Sequence, residues 1–455
     1  MKKHYHLIGI GGIGMSGIAQ LLLCQGMEVS GSDLKESRIT EGLKKIGAQI
    51  FIGHNPLNIK GADLIIYSSA IKEDNPEFVA ARSLNIPLIK RAQALAELME
   101  EKCVIAVTGS HGKTTITSLV SYLLLEAGFA PSAAIGGILR NIDTNACIGE
   151  GKFFVAEADE SDGSFLYYKP TYSILTNIDR EHLDYYKEFS REIEAFREFL
   201  NRTQEDGCVF CCADDKNLQG ILRDYKKRYV LFGLKDSAQI YPENIQLKGL
   251  TSEFDCFYNR KFIGRFYLAL GGEHNISNAL SVIALGLELG IGLEIIKKAL
   301  SSYKGALRRL EVKFSDRGLV VIDDYAHHPT EIRATLAAVR NLKRDRVIAV
   351  FQPHRYTRTE LLLDEFGKSF DLADYVIVTD IYPAGEPPIE GVSGRSVYDK
   401  IKGLTPAKEA YFLPKEEIVG HILGIIGPGD LLITLGAGDI VKVSDELAER
   451  LKRQS

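Results

Sequence analysis

Several things are missing from this chain, and each absence narrows what it can be. No run of about 18 uncharged apolar residues occurs in its 455 residues, so no bilayer-spanning helix is expected. Its seven cysteines, an odd number without framework spacing, fit a reduced protein better than a disulfide scaffold. The start, "MKKHYHLIGIGG", runs into glycines where an export signal would place an apolar segment and a small-residue cleavage site, so a cytoplasmic protein is expected. Excess positive charge is lacking as well, and a net charge of -5 offers no general attraction to nucleic acid. Short-period repeats and low-complexity tracts are absent. The cluster "CVFCC", with Cys208, Cys211 and Cys212, has no second pair at zinc-ribbon spacing and reads as buried thiols in a short strand.

What is present is ordinary for a globular chain, with 45% hydrophobic and 25% charged residues, and too long for one core. Short apolar runs alternate with amphipathic stretches in three successive series, the pattern of βα units on parallel sheets. Boundaries fall near residues 100 and 312, predicting three α/β domains at 1–100, 101–311 and 312–455. Residues 230–270, with "RYVLFG" and "RFYLALGG", read as strands without an intervening helix, so the middle domain is expected to carry a small β-rich extension.

Two glycine-rich turns stand out. In "CVIAVTGSHGKTT" a strand ends near Gly109 and a helix begins near Lys113. Glycines let such a loop wrap an anion, the first helical amides point at it, Lys113 can neutralise terminal phosphates and Thr114 can ligate Mg2+. The strict pattern has glycine where this chain has Val107. In "GIGGIGMSG", Gly9, Gly11 and Gly14 satisfy G-x-G-x-x-G, with Asp33 about 20 residues on. That turn specifies a diphosphate, and a nicotinamide dinucleotide or a sugar nucleotide satisfies it equally.

Carboxylates follow the second phosphate turn. "EADESDGSF" places Glu157, Asp159, Glu160 and Asp162 beyond a buried strand, as a hard cation beside a triphosphate would need, although a solvated acidic loop has the same composition. "TNIDREHLDYY" brings Asp179, Glu181 and His182 to another strand end, and imidazole alone is not a favoured Mg2+ ligand. Further on, "IDDYAHHPTEI" and "FQPHRYTRTE" gather Asp323, Asp324, His327, His354, Arg355 and Arg358 at what read as two neighbouring strand ends. Together they suggest a pocket for an anion.

The ordered set "GIGGIGMSGIA", "VTGSHGKTT", "EADESD", "TNIDREHLDYY", "GGEHNISNALS", "RRLE", "DDYAHHPTEI", "PHRYTRT" and "GAGD" resembles the Mur ligases over nearly the whole chain. The resemblance implies a Rossmann-like N-terminal domain for a UDP-sugar, a P-loop-like central ATPase domain, and a Rossmann-like C-terminal domain for the amino acid. It implies amide-bond formation driven by ATP in cytoplasmic peptidoglycan synthesis, with Mg2+, UDP-N-acetylmuramate and L-alanine, in a monomer or weak homodimer. "GIGGIGMSGIA" favours addition of a single amino acid over recycling of a tripeptide; an NAD-dependent oxidoreductase and a nucleotide-dependent switch are the readings from other classes.

By motif, the family's ATP site would fall on Gly109, Ser110, His111, Gly112, Lys113, Thr114 and Thr115, with His274, Asn275, Asn278, Arg309 and Asp324. Thr114, Glu157 and His182 would surround the metal. Gly11, Gly12, Ile13, Gly14, Met15, Ser16, Asp33 and Ser69 would meet the UDP-sugar. Tyr325, His327, Arg355 and Arg358 would face the amino acid, and Lys113, Glu157, His182, His327, Arg355 and Arg358 would carry the chemistry, with His327 as base by position only. The lysine that other members carbamylate has no match in "KEFSREIEAFREFL", since Lys187 lies too near His182, so no carbamate is assigned. The unusual Val107 is itself a mark of the family.

Overall fold

The computed structural model describes residues 2–68 and 70–454. The chain divides into two compact units, one of residues 1–242, 256–263 and 277–304, the other of 243–255, 264–276 and 305–455. Three sheets underlie them, as the three series of apolar runs predict. No described helix is long and apolar enough to cross a membrane.

The first sheet contains β1 (His4–Ile8), β2 (Glu28–Asp33), β3 (Gln49–Ile52), β4 (Leu64–Tyr67) and β5 (Leu88–Lys90) in the order β3-β2-β1-β4-β5. All its pairings are parallel. Direction reverses between β1 and β4, and ligands of doubly wound sheets bind outside the carboxyl ends of the strands at such a point.

The second sheet is built from β6 (Cys103–Thr108), β7 (Ser132–Leu139), β8 (Thr144–Cys147), β9 (Phe153–Glu157), β10 (Tyr172–Leu175), β11 (Cys208–Cys212) and β12 (Tyr229–Phe232). β13 (Ile240–Lys248), β14 (Thr251–Tyr258) and β15 (Lys261–Leu268) supply the β-rich extension. From β12 to β8 the order is β12-β11-β10-β6-β9-β7-β8. Central β6, "CVIAVT", is buried from Val104 onward, which is why it reads as a continuous apolar run without alternation. The cysteines of β11 are buried strand residues, as read from the sequence.

The third sheet comprises β16 (Glu311–Asp316), β17 (Leu319–Asp324), β18 (Arg346–Phe351), β19 (Tyr375–Val378), β20 (Glu409–Phe412) and β21 (Asp430–Leu435), ordered β16-β17-β21-β18-β19-β20. Here the sequence reading needs correction. The ends of β17 and β18 are not neighbours, because the last strand, β21, inserts between them with parallel pairing to both.

Candidate active site

The first glycine turn is braced by its own sheet. Gly9 adopts φ +81°, and the N–H groups of Gly9 and Ile10 donate to the Ser32 carbonyl at 2.9 and 3.0 Å. Gly11 N–H donates to Asp33 Oδ2 at 2.8 Å, while Asp33 Oδ1 accepts from Leu34 N–H. A Cβ on Gly11 would sit 2.7 Å from that carboxylate. Asp33 therefore holds the turn.

Gly12 caps the helix Ile13–Cys24, leaving the N–H groups of Ile13, Gly14 and Met15 at its first turn without intrahelical acceptors. Ser16 is buried, and its N–H donates to Gly12 O, so its side chain and amide both serve the fold. A Cβ on Gly14 would strike the Arg91 guanidinium, so the glycine leaves room for that side chain against the turn. Ser69 lies outside the described residues. Arg91 in turn reaches Asp159 at 3.3 Å, and Asn145 Nδ2 donates to Ile13 O at 2.6 Å, fastening this turn to the second sheet.

The second turn shows why Val107 is no defect. It is a buried residue inside β6, paired with Glu157 and Ile174 across the sheet, where a glycine would only weaken the strand. The glycines the loop needs are Gly109 at φ +129° and Gly112 at φ +87°. A Cβ at Gly109 would run into Thr176 Oγ1 and the Asn177 backbone, and one at Gly112 would sit 2.8 Å from Asn278 Oδ1. The loop is further fixed by Thr176 Oγ1 donating to His111 O at 2.6 Å, His111 N–H to Asn177 Oδ1 at 2.9 Å, and Asp179 N–H to Ser110 Oγ at 2.8 Å. Lys113 opens the helix Lys113–Glu126, followed by the buried Thr114 and Thr115.

Around this loop the charges are packed closely. Lys113 Nζ donates to Gly109 O at 2.7 Å, Ser110 O at 3.2 Å and Glu160 Oε1 at 2.7 Å. Burial alone would lower its pKa, but Glu160, Asp159 and Glu157 outweigh that and raise it. Thr114 Oγ1 donates to Glu157 Oε1 at 3.2 Å, and Gly136 N–H to Glu157 Oε2 at 3.0 Å. His182, in the left-handed region at φ +55°, points Nε2 to Glu160 Oε1 at 3.4 Å and Glu181 Oε2 at 3.6 Å. Burial disfavours its charged form, yet these two carboxylates win and its pKa rises.

Glu160, Glu181 and His182 offer ligand atoms all within 4.8 Å of one another. The buried Glu160 Oε2 has no hydrogen-bond partner among the described residues, which suits it to ligate a cation. So the expected Thr114 and Glu157 stand together, while His182 is grouped with Glu160 and Glu181. Behind them Glu192 is fully buried with neither oxygen hydrogen-bonded among the described residues, and burial beside Glu160 and Glu181 pushes it up to about 9.

Asn278 belongs to the first unit; His274, Asn275, Arg309, Asp324, Tyr325, His327, Arg355 and Arg358 belong to the second. There, Asp324 accepts from Leu310 N–H at 2.7 Å, Ala326 N–H at 2.9 Å and Thr335 Oγ1 at 3.3 Å. Burial pushes it up to about 6 against the pull of Arg309. Its carboxylate thus ties the residue before β16 to the turn after β17. Arg309 and Arg308 both lie over the Tyr325 ring, at 5.2 and 5.1 Å. His274 is pushed down to about 4 by burial and by Arg309, and Asn275 donates to Gly271 O.

His327 Nδ1 donates to Tyr325 O at 2.9 Å and lies 3.5 Å from Glu331 Oε2. Its ring meets His354 at 5.5 Å, and His354 Nδ1 contacts Arg358 at 3.2 Å. Burial, with His327 and both arginines nearby, pushes His354 down to about 2. Arg355 adopts φ +69° and reaches toward Glu386 at 3.9 Å. The histidine, tyrosine and arginine side chains converge even though β21 separates their strands.

Sequence reasoning missed Arg91 as a partner of the first turn, the coupling of Lys113 to Glu160, and the grouping of His182 with Glu160 and Glu181. Glu160 and Glu181 were visible inside their motifs. Arg91 offered no local signal, because Asp159 is 68 residues away in the chain.

Comparison with known proteins finds similarity along nearly the whole chain. Three family models match in order: "Mur ligase family, catalytic domain" at residues 4–103, "Mur ligase middle domain" at 107–286, and "Mur ligase, glutamate ligase domain" at 308–438. Relatives called UDP-N-acetylmuramate--L-alanine ligase include one from Geotalea uraniireducens, 46% identical over 98% of each chain. Another, from Desulfatibacillum aliphaticivorans, is 48% identical over 99% of each. Among solved structures, the UDP-N-acetylmuramate-alanine ligase of Thermotoga maritima superposes with a TM-score of 0.86 at 32% identity, covering 99% of this chain and all of that one. With every domain of the family matched in sequence and the three-sheet fold reproduced, the chain belongs to the Mur ligase family.

Proposed function

We propose that the protein joins L-alanine to the lactyl carboxylate of UDP-N-acetylmuramate, consuming ATP and releasing ADP and phosphate. The observation that carries this reading is the coexistence in one unit of a diphosphate-suited turn at Gly9–Gly14 and a triphosphate-suited loop at Gly109–Thr115 edged by carboxylates. The names of relatives at 46–48% identity support the choice of substrates. The murein peptide ligase of Psychrobacter arcticus, at 24% identity and TM-score 0.74, shares the fold alone. Domains at 1–100, 101–311 and 312–455 would hold the sugar nucleotide, ATP and the amino acid in turn.

The chemistry meets a physical difficulty. A carboxylate is anionic and has no adequate leaving group, so an amine does not displace it. When a carboxylate oxygen takes the γ-phosphoryl group, ADP departs and an acyl phosphate forms; attack by the amine then expels phosphate and leaves the amide. Bringing carboxylate and triphosphate together sets two anions side by side, and Lys113 would offset that repulsion and steady charge on the phosphoryl oxygens. Thr114 and Glu157, with His182, would hold Mg2+, which supplies positive charge at the phosphates when bound. The attacking amine must be neutral, and His327 is the proposed base by its position. Tyr325, Arg355 and Arg358 would orient the amino acid.

Phosphate release measured against a panel of free amino acids and the recycled tripeptide tests the assignment. The expected result is release only when UDP-N-acetylmuramate and L-alanine are both present. Release indifferent to the sugar nucleotide would indicate a nucleotide switch, and thermal protection by NADH but not by UDP-sugar an oxidoreductase.

A further inference from the structure

The proposed amino-acid site in the second unit carries more positive charge than its ligand needs. An α-amino acid brings one carboxylate, and one guanidinium fork is enough to hold it bidentately. Arg355 and Arg358 supply two, and the surplus by itself would draw in an amino acid with a second, acidic carboxylate.

That surplus is met inside the chain, by Glu386 on the segment between β19 and the helix Gly394–Leu404. Ala384 at φ +48° and Gly385 at φ +87° turn the chain back, and Glu386 N–H closes the turn on Pro383 O at 2.9 Å. The carboxylate is held at both oxygens, with Thr357 N–H donating to Oε2 at 3.1 Å and Thr357 Oγ1 to Oε1 at 2.8 Å. Oε1 also lies 3.9 Å from Arg355 Nη1, on a side chain only 18% exposed.

The same segment grips Arg355 by its backbone. Arg355 N–H donates to Tyr382 O at 2.9 Å, Tyr382 N–H to Pro353 O at 2.8 Å, and the Tyr382 ring stacks on His354 at 5.6 Å. Arg355 holds φ +69° and ψ 141°, a conformation that is costly for a side-chain-bearing residue and persists only where its surroundings enforce it. Glu386 and Arg355 are thus brought together by a braced segment and not by a chance meeting of two surface chains.

We propose that Glu386 is a specificity-determining residue: it offsets the charge of Arg355 that the α-carboxylate leaves over, so the pocket favours an uncharged side chain and repels an acidic one. This rests on the assignment of Arg355 and Arg358 to the amino acid made above. Setting a like charge against the wrong ligand is a general way to reject it.

L-Aspartate and L-asparagine match in size and differ in charge, so their competition with L-alanine isolates the effect. Inhibition constants for both are measured on the full chain with ATP, Mg2+ and UDP-N-acetylmuramate, following labelled L-alanine into the sugar nucleotide. Wild type should bind L-asparagine more tightly than L-aspartate. Glu386→Gln, which can still accept from Thr357, should shift the ratio of the two constants about tenfold or more toward L-aspartate. Glu386→Asp keeps the charge and should keep the wild-type preference, whereas a merely structural role would disturb both variants alike. If Glu386→Gln forms no amide, calorimetric titration of both amino acids into that variant, saturated with ATP and UDP-N-acetylmuramate, reads the same ratio. An unchanged ratio, or no binding of either compound by any variant, overturns the role of Glu386, since size would then decide. Failure of wild type to incorporate L-alanine overturns the amino-acid reading instead.

Discussion

Replacing Lys113 by methionine keeps the apolar stem and removes the charge, and it separates two roles that this lysine combines. Its Nζ lies 2.7 Å from the fully buried Glu160, with Asp159 and Glu157 adding to the negative field. Without it, Glu160 Oε1 keeps the contact with His182 Nε2 at 3.4 Å. Removing one partner of a buried pair costs about 3–5 kcal/mol, because the other charge stays buried and uncompensated. Urea unfolding of the first unit, followed by a probe within it, should show a loss of that size in Lys113→Met. Adding Glu160→Gln removes the stranded charge, and the double variant should regain about 2 kcal/mol or more. ATP turnover should be abolished in both, since Lys113 also faces the phosphates, while UDP-sugar binding stays close to wild type. A loss below about 1 kcal/mol in Lys113→Met would refute the pairing argument. Recovery of turnover in the double variant would refute the phosphate role, and joint loss of UDP-sugar binding would refute separate sites.

Other outcomes follow from the same geometry. Gly14→Val should raise the KM for UDP-N-acetylmuramate about tenfold or more with ATP affinity unchanged, because the new side chain displaces Arg91 from Asp159; steady-state kinetics with each substrate varied will show it. Gly112→Ala combines a strained φ of +87° with a contact against Asn278, so it should cost about 1–3 kcal/mol and weaken ATP binding, read by unfolding and nucleotide titration. Asp324 has its folded pKa raised from 3.8 to about 6, so folding favours its protonated form. Stability of the second unit should therefore fall by about 2–3 kcal/mol as pH rises from about 4 to about 6, then level off, and Asp324→Asn should flatten that part of the profile.

Much of this was legible in the sequence because the informative signals were local. Strand runs such as "CVIAVT" and "LVVIDD" report burial directly, and the glycines at 109 and 112 sit where the chain must turn with positive φ. What failed were inferences needing a partner distant in sequence. Val347 in β18 pairs with Leu431 in β21, a strand that comes near the end of the chain and separates β18 from β17. Both strands read as plain buried runs, and their order in the sheet is set by tertiary pairing that no local pattern records. Arg91 and Glu77 went unassigned, and the pairing of Glu160 with Lys113 unseen, for the same reason: each is a charge whose role is defined by a partner 45 to 68 residues away, or across a buried network. Asp33 illustrates the opposite case, a residue named from its motif alone, whose carboxylate accepts from the turn's own backbone.

The most direct test of the central claim follows one oxygen atom. UDP-N-acetylmuramate labelled with 18O in its lactyl carboxylate is incubated with the full chain, ATP, Mg2+ and L-alanine, and the released phosphate is analysed by mass spectrometry. Passage through an acyl phosphate predicts one carboxylate oxygen transferred to phosphate for each amide formed. Amide formation with unlabelled phosphate, or phosphate release without amide, would contradict the account.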